Sequence, residues 1–557
     1  MPIQSKLPPI TIPEVPFHES ILDGLWLQCC NAPQKEALVD TTTGQKLTFS
    51  QVWMEFLAVK SALRSIGLRK QHVVVVALPN CVEYPILSLA IMANGAIVSG
   101  IGPISNAAEY QRQISDSRAA FVCVNHETFA NCAAAVQQLH RHVKGFIFIG
   151  SNTPPGERLC NGIPIYLYSD LATRAPNLND PPVEIDVKSE LCLLPYSSGT
   201  TGPPKGVMLT HYCCVAMAVA SDSHMREHTF TFMAEHDIEF DPDTATMIAF
   251  LPFFHVYGFN VTLQSLKMGL RVVVMPRFDA VNYLQLVQDY KINILYLVPP
   301  IVQFLAKHPL VDQFDLSSVR LAFSGSAPLS EDAERMLLRR LPNIIKVGQG
   351  YGMTETTAAT HLPGYGGKYG NGGALTVNAE MKVIDPSTGR ELGPNEDGEI
   401  LVRSPTLMKG YWNRPDATAE TIDADGWLHT GDIGHYDADT YVYIVDRIKE
   451  LIKVKGFQVA PAELESYLHT HPNIADCAVI GIPDEKSGEV PRAFVVLKDA
   501  TLATTEKHIQ DFIAERVSNY KRLSGGVEFV KEIPKSQSGK ILRRSLRDRY
   551  KASKTKL

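Results

Sequence analysis

Residues 196–206 read Tyr196-Ser197-Ser198-Gly199-Thr200-Thr201-Gly202-Pro203-Pro204-Lys205-Gly206, which puts two Ser, two Thr, three Gly and one Lys into eleven positions. Glycines let the backbone turn sharply and bring its N–H groups close to a ligand. Hydroxyls donate hydrogen bonds, and lysine adds a fixed positive charge. Together these groups suit the oxygens of a polyphosphate. The apolar run Leu191-Cys192-Leu193-Leu194 before the loop is of strand type. The Walker pattern G-x-x-x-x-G-K-[ST] does not fit, because Lys205 follows Pro204 and precedes Gly206 with no Ser or Thr after it. A flexible surface loop would account for the glycines but not for this density of donors.

Six further stretches carry chemistry. In Gly348-Gln349-Gly350-Tyr351-Gly352-Met353-Thr354-Glu355, alternating glycines expose backbone to a flat ligand. Tyr351 offers a π face for a base, Thr354 a hydroxyl and Glu355 a hard oxygen suited to Mg²⁺. In Gly426-Trp427-Leu428-His429-Thr430-Gly431-Asp432, the aspartate can accept hydrogen bonds from vicinal ribose hydroxyls or simply cap its own turn. From Val445 to Pro461, Lys449, Lys453 and Lys455 would share one face of a continuous strand. A solvated edge protected by lysines is the plainer reading of that pattern. In Pro534-Lys535-Ser536-Gln537-Ser538-Gly539-Lys540-Ile541, Lys540 follows a Ser-Gly turn and is mobile and exposed, the usual fate of lysine. Pro252 to Phe259 sets His255 among aromatics, and Ser324-Gly325-Ser326-Ala327-Pro328-Leu329 is a further loop of small residues.

These stretches resemble the signatures of the adenylate-forming superfamily: acyl-CoA synthetases, 4-coumarate–CoA ligases, firefly luciferases and peptide-synthetase adenylation domains. The likeness runs from Ile21 to Tyr550 and is strongest to the 4-coumarate–CoA ligase branch. It implies an ATP-dependent acid–CoA ligase that turns a fatty or aromatic acid into an acyl-adenylate and then a thioester, with ATP, Mg²⁺ and coenzyme A as its cofactors. By the same resemblance Ser197, Ser198, Gly199, Thr200, Thr201, Gly202 and Lys205 hold the phosphates of ATP. Ser326, Gln349, Gly350, Tyr351, Gly352 and Thr354 surround the nucleotide, and Glu355 takes the metal. Asp432 and Arg447 bind the ribose, and Lys449 is the hinge of a rotating small domain. Lys540 serves adenylation; Lys453 and Gln458 face the adenylate in the thioester-forming state. Arg277, Lys455 and Gly456 approach CoA. His255 gates the acyl pocket, and Tyr257, Ser326, Gly350 and Lys449 border the acid. The catalytic set is then Lys540, Lys453, His255 and Glu355. Pocket walls are expected at Val256 to Phe259, Ile301 to Leu305, Ser324 to Leu329 and Met353 to Thr357. The alternative is a luciferase-like monooxygenase acting on an adenylated acid; luciferases carry a second His where Val256 stands. Other departures are Pro203-Pro204, Ile101-Gly102-Pro103-Ile104, and Ser326 where the ligases more often have Ala.

Positioning such loops requires a large α/β frame. A chain of 557 residues is too long for one core. Helix-like and strand-like runs alternate, which predicts layered α/β subdomains with parallel sheets. Strands are expected at Val73–Leu78, Ala96–Gly100, Phe121–Val124, Gly145–Gly150, Thr246–Pro252, Leu270–Met275, Asn293–Val298 and Val319–Ser324. Phe49-Ser50-Gln51 opens a helix that reaches Ile66, and His211 to Met233 reads as another. Ser151 to Pro182 reads as a surface connection. The resulting plan is a large N-terminal domain over 1–445, a hinge at 446–449 and a small mobile α+β C-terminal domain over 450–557.

Net charge of -6 gives no global basic field for nucleic acid. Ten cysteines, including the vicinal pairs 29/30 and 213/214, lack metal spacing and read as free thiols in a reducing compartment. Met1 to Glu19 has no apolar segment of a signal peptide. Pro85 to Ile104 carries no charge, but Gly and Pro break it, so a buried helix and strand are expected rather than an integral membrane segment. The basic tail reads as a helix with Ile541, Leu542, Leu546 and Tyr550 turned inward. The ending Thr555-Lys556-Leu557 approximates the peroxisomal S-K-L address, so an import receptor and a peroxisomal location are expected, with the cytosol as alternative.

Overall fold

The computed structural model describes the chain apart from residues 1, 138–141, 151–158, 198–203, 236–240, 242–243, 345, 365–367, 456, 485, 500, 502–503, 537–538 and 555–557. Ser198 to Gly202, Gly456 and the Thr555-Lys556-Leu557 ending therefore lie outside the described residues.

Among the described residues two mainly parallel sheets form the frame of the large domain. In the first, Val73–Val76 lies between Ile97–Gly100 and Phe121–Val124, all parallel. Gly145–Phe148 and Ile163–Leu167 extend one side; Leu191–Leu193 and the antiparallel Lys205–Thr210 extend the other. Every residue of Val73–Val76 is buried, as a strand covered on both faces requires. The segment read as a plain surface connection contains the paired strand Ile163–Leu167 and the helix Tyr168–Ala172. Ile163 and Ile165 alternate inward, a short period-two pattern that the surrounding Pro and Asn residues obscured.

The second sheet runs Val347–Gln349, Leu321–Ser324, Ile294–Leu297, Thr246–Ala249, Arg271–Val274, Glu36–Asp40 and Lys46–Thr48. Leu297 pairs with Ser324, and Ser324 with Gln349, so three carboxyl ends align. Their following loops open at one edge, where ligands of parallel sheets collect. An antiparallel sheet contributes Leu428–Tyr436 and Val442–Arg447, which set Asp432 opposite Arg447.

Local signals explain the helices nearest the site. Thr48, not Phe49-Ser50-Gln51, caps Phe49–Ser65: its side chain and that of Gln51 exchange hydrogen bonds in a capping box. The apolar stretch from Pro85 to Ile104 falls on the buried helix Glu83–Ala93, which includes Pro85 in its first turn, and on the strand Ile97–Gly100. No helix among the described residues is long and apolar enough to cross a membrane. His211–His224 does not continue as one α-helix to Met233; it passes through a π-helical turn, Met225–Phe230, before Thr231–Glu235.

From Ile452 onward the chain builds an α+β unit. The hairpin Ile452–Val454/Phe457–Val459 joins Gly488–Leu497, Ile474–Asp484 and Val527–Phe529. The final helix, Arg543–Lys554, buries Leu546 and Tyr550, whereas Leu542 is exposed, contrary to the inward set read from the sequence. Three of its four arginines pair within the small domain: Arg543 with Glu465, Arg547 with Glu450 and Arg549 with Glu528. All ten cysteines are free thiols.

Candidate active site

The site begins with strand ends. Gly350 to Glu355 follows Val347–Gln349, and Gly325 to Leu329 follows Leu321–Ser324. Gln349 braces the two loops together. Its amide oxygen accepts the Leu329 N–H at 3.0 Å, and its amide nitrogen donates to the Leu329 carbonyl at 3.2 Å. A residue expected to touch nucleotide thus also holds the neighbouring wall. A side chain at Gly352 would lie 2.2 Å from the Ala358 carbonyl, so the close return of the chain requires glycine there. Ser326 takes the left-handed conformation at φ 71°, a strained backbone that loops at functional sites often carry.

The ribose-type aspartate is prearranged. Asp432 is buried; its Oδ2 accepts from the Tyr351 hydroxyl at 2.8 Å, and its Oδ1 pairs with Arg447 at 3.1 Å. Tyr351 and Asp432 lie 81 positions apart in the chain, and the hydrogen bond ties the Gly-rich loop to the antiparallel sheet. Burial beside that carboxylate pushes the Tyr351 phenol far up, so it donates at all ordinary pH values.

Glu355 is also buried. Its Oε1 accepts from Ser197 Oγ and from the Tyr411 hydroxyl, both at 2.9 Å. Oε2 has no partner among the described residues. Lys205, the far end of the hydroxyl-rich loop, holds its ammonium 4.1 Å from the Tyr411 ring centre. Tyr411 was not among the residues singled out from sequence. Its only local trace is Gly410, at φ 143°, before the aromatic pair Tyr411-Trp412.

The small domain inserts Lys540. Gly539 turns the loop at φ 80°, and a side chain there would meet Val298 and Pro300 of the large domain at 3.5–3.6 Å. Lys540 N–H donates to Ser536 Oγ at 3.1 Å. The mobile surface lysine read from sequence is therefore tucked in. Burial lowers the Lys540 ammonium first and the Arg447 charge lowers it further, while Asp432 and Glu355 oppose the shift. Lysine, arginine and two carboxylates so face one volume.

His255 caps the helix Val256–Lys267, its Nδ1 accepting the Tyr257 N–H at 3.3 Å. Burial, then the nearby Lys540 charge, lower the imidazole to about 4. It is neutral near pH 7, with Nε2 carrying the proton. Tyr257 stands edge-on to Tyr296 at 6.5 Å, and Tyr296 stacks on Phe323 at 5.3 Å. A side chain at Gly325 would come within 3.1 Å of the Tyr257 ring. Tyr296 and Phe323 extend this aromatic wall beyond the residues chosen from sequence. They are partners on neighbouring parallel strands, a relation invisible in a linear pattern.

The remaining predicted residues do not join this cluster. Lys449, Lys453, Lys455 and Gln458 are exposed. Nor do the lysines share a strand face. Only Lys453 lies on Ile452–Val454, Lys449 precedes that strand in a turn, and Lys455 occupies the hairpin turn at φ 49°. Lys453 pairs with Gln458 across the hairpin. One rigid domain turns one face to the site, and here that face carries Lys540. Arg277 is exposed and pairs with Glu127 at 2.5 Å.

The family described as AMP-binding enzyme matches residues 25–412, and its C-terminal domain matches residues 463–540. The chain belongs to this family. It is 40% identical over 98% of its length to 4-coumarate–CoA ligase-like 9 of Oryza sativa subsp. japonica, covering 95% of that protein. It is 40% identical to 4-coumarate–CoA ligase 1 of Petroselinum crispum, covering 98% of this chain and 96% of that one. Among solved structures, the anthranilate CoA ligase AuaEII in complex with anthranoyl-AMP matches with a TM-score of 0.83 and 27% identity, over 98% of this chain and all of the other.

Proposed function

We propose that this protein joins a planar aromatic carboxylic acid to CoA through an acyl-adenylate. That it is an ATP-dependent, AMP-forming acid–CoA ligase follows from its family and relatives. The aromatic preference rests on the wall of Tyr257, Tyr296 and Phe323 beside Gly325, which favours flat rings by edge and face contacts. The ligase names of the relatives point the same way.

The observation that carries the mechanism is Lys540, on a loop set against Val298 and Pro300, within electrostatic reach of the Asp432–Arg447 pair and of Glu355. A carboxylate oxygen attacks the α-phosphorus of ATP, the bond to the β-phosphate oxygen breaks, and pyrophosphate leaves. Lys540 and Lys205 balance the charge that develops at the two ends of this displacement. Asp432, held by Tyr351 and Arg447, orients the ribose. Glu355 fits a hard cation. Its Oε2 is free among the described residues, and no group of three or more His, Cys, Asp or Glu there could hold a metal alone. Mg²⁺ at Glu355, completed by phosphate and water, would neutralise phosphate charge when bound. His255, neutral, closes the acid pocket without adding charge.

The second step needs the other face of the small domain. Rotation within 446–449, about Lys449, withdraws Lys540 and brings Lys453, Lys455 and Gln458 inward. The CoA sulfur then attacks the acyl carbon, the bond to phosphate breaks, AMP leaves and the thiol proton passes to water. Arg277 serves the CoA nucleotide from the rim, released from Glu127.

The two half-reactions test this. With hydroxycinnamates, benzoates and fatty acids as a panel, ATP–pyrophosphate exchange should select the aromatic acids. Lys540→Ala should lower exchange by about 10²–10³-fold, while supplied acyl-adenylate still yields thioester. Lys453→Ala should show the opposite split. Preference for long-chain fatty acids would refute the substrate class, and equal loss in both steps would refute the division of labour.

A further inference from the structure

Tyr411 touches both charged groups expected to meet the phosphates, yet it lies on neither signature loop. Its ring lies under the Lys205 ammonium at 4.1 Å, and its hydroxyl donates to Glu355 Oε1 at 2.9 Å. Ser197 Oγ donates to the same oxygen at 2.9 Å. Lys205 and Glu355 form no ion pair with each other. Left alone, an ammonium and a carboxylate this close to one tyrosine would collapse together, and ATP would have to break that pair on entry. A ring face and a hydroxyl are weaker, separate partners for the two charges.

We infer that Tyr411 is a positioning residue that holds Lys205 and Glu355 apart, so that each remains available to the incoming triphosphate. The frame for this role is rigid. Gly410–Tyr411 pairs with the Lys205–Thr210 strand, Val207 opposite Tyr411, so the ring and the lysine sit on adjacent strands. The Tyr411 N–H donates to Thr418 Oγ1 at 2.8 Å, and the side chain is 6% exposed. The hydroxyl shares Oε1 with Ser197, which leaves Oε2 for whatever accompanies the phosphates.

The inference rests on ATP being the nucleotide, as proposed above. The test therefore uses ATP binding to the full-length protein by calorimetry, which needs neither acid nor CoA. In EDTA, Tyr411→Leu should weaken ATP about tenfold, because Lys205 then pairs with Glu355. In a Lys205→Ala background the same change should have little further effect, since the tyrosine acts through the lysine. Tyr411→Phe keeps the ring and should bind metal-free ATP within about twofold of the unaltered protein. It should nevertheless need about fivefold more Mg²⁺ to tighten nucleotide binding, because the hydroxyl no longer aims Glu355. A merely structural tyrosine would give the same loss with and without Lys205. That result, or unchanged binding in both Tyr411 variants, overturns the inference. Failure of the unaltered protein to bind ATP overturns the functional reading itself, a distinguishable outcome.

Discussion

Glu334 offers a sharp test of how the wall behind the nucleotide loop is built. It lies on the helix Glu331–Arg340, is 1% exposed, and accepts the Gly370 N–H through Oε2 at 3.2 Å, while Oε1 has no hydrogen-bond partner among the described residues. Burial raises its carboxyl from the ordinary 4.5 to about 7; Gly370, Lys346 and Gln349 oppose the shift, and Glu331 adds to it. A raised carboxyl stabilises the fold below the unfolded value and loses that contribution as pH climbs through the folded one. A shift of this size corresponds to about 3 kcal/mol, lost between about pH 4.5 and pH 7. Glu334→Gln keeps the shape and the acceptor for Gly370 but cannot ionise. The gap in stability between variant and unaltered protein should therefore widen in the variant's favour by about 3 kcal/mol from pH 4.5 to pH 8. Buried neutral histidines such as His18, His224 and His361 also titrate the fold, but they are common to both proteins and cancel. Denaturant titrations of both proteins at half-unit pH steps read the difference. Parallel curves across that range would refute the claim that Glu334 is protonated in the fold at moderate pH.

Other outcomes follow from single contacts. Lys307, at the end of Pro299–Lys307, donates to the His469 carbonyl of the small domain at 2.9 Å and so favours the orientation that inserts Lys540. Lys307→Met should slow adenylation about three- to tenfold and spare thioester formation from supplied adenylate; equal slowing of both refutes the latch. In Gly325→Ala the new methyl would press on the Tyr257 ring from 3.1 Å. KM for the acid should rise about fivefold or more, with KM for ATP unchanged, and a matching rise for ATP would place Tyr257 outside the acid pocket.

Much of the site can be read in the chain because it is local. A strand end, a glycine that lets backbone return, and a hydroxyl or carboxylate a few positions later are all short-range facts. The strands at Phe121–Val124 and Arg271–Val274, the Gly348 to Glu355 turn and the Asp432 turn follow from periodicity and glycine placement. Tertiary structure decided which distant groups meet. Tyr351 reaches Asp432, Tyr411 reaches Glu355 across 56 positions, and Tyr296 stacks on Phe323 because parallel strands set them side by side. No periodic pattern encodes such pairs, since each depends on sheet order and register rather than on the residue's own neighbours. The lysines show the same division. Sequence marks Lys449, Lys453, Lys455 and Lys540 alike as candidates, all on or beside turns of a polar segment. Only the docking of one face of the small domain determines that Lys540 is half-buried among opposing charges while the other three are exposed.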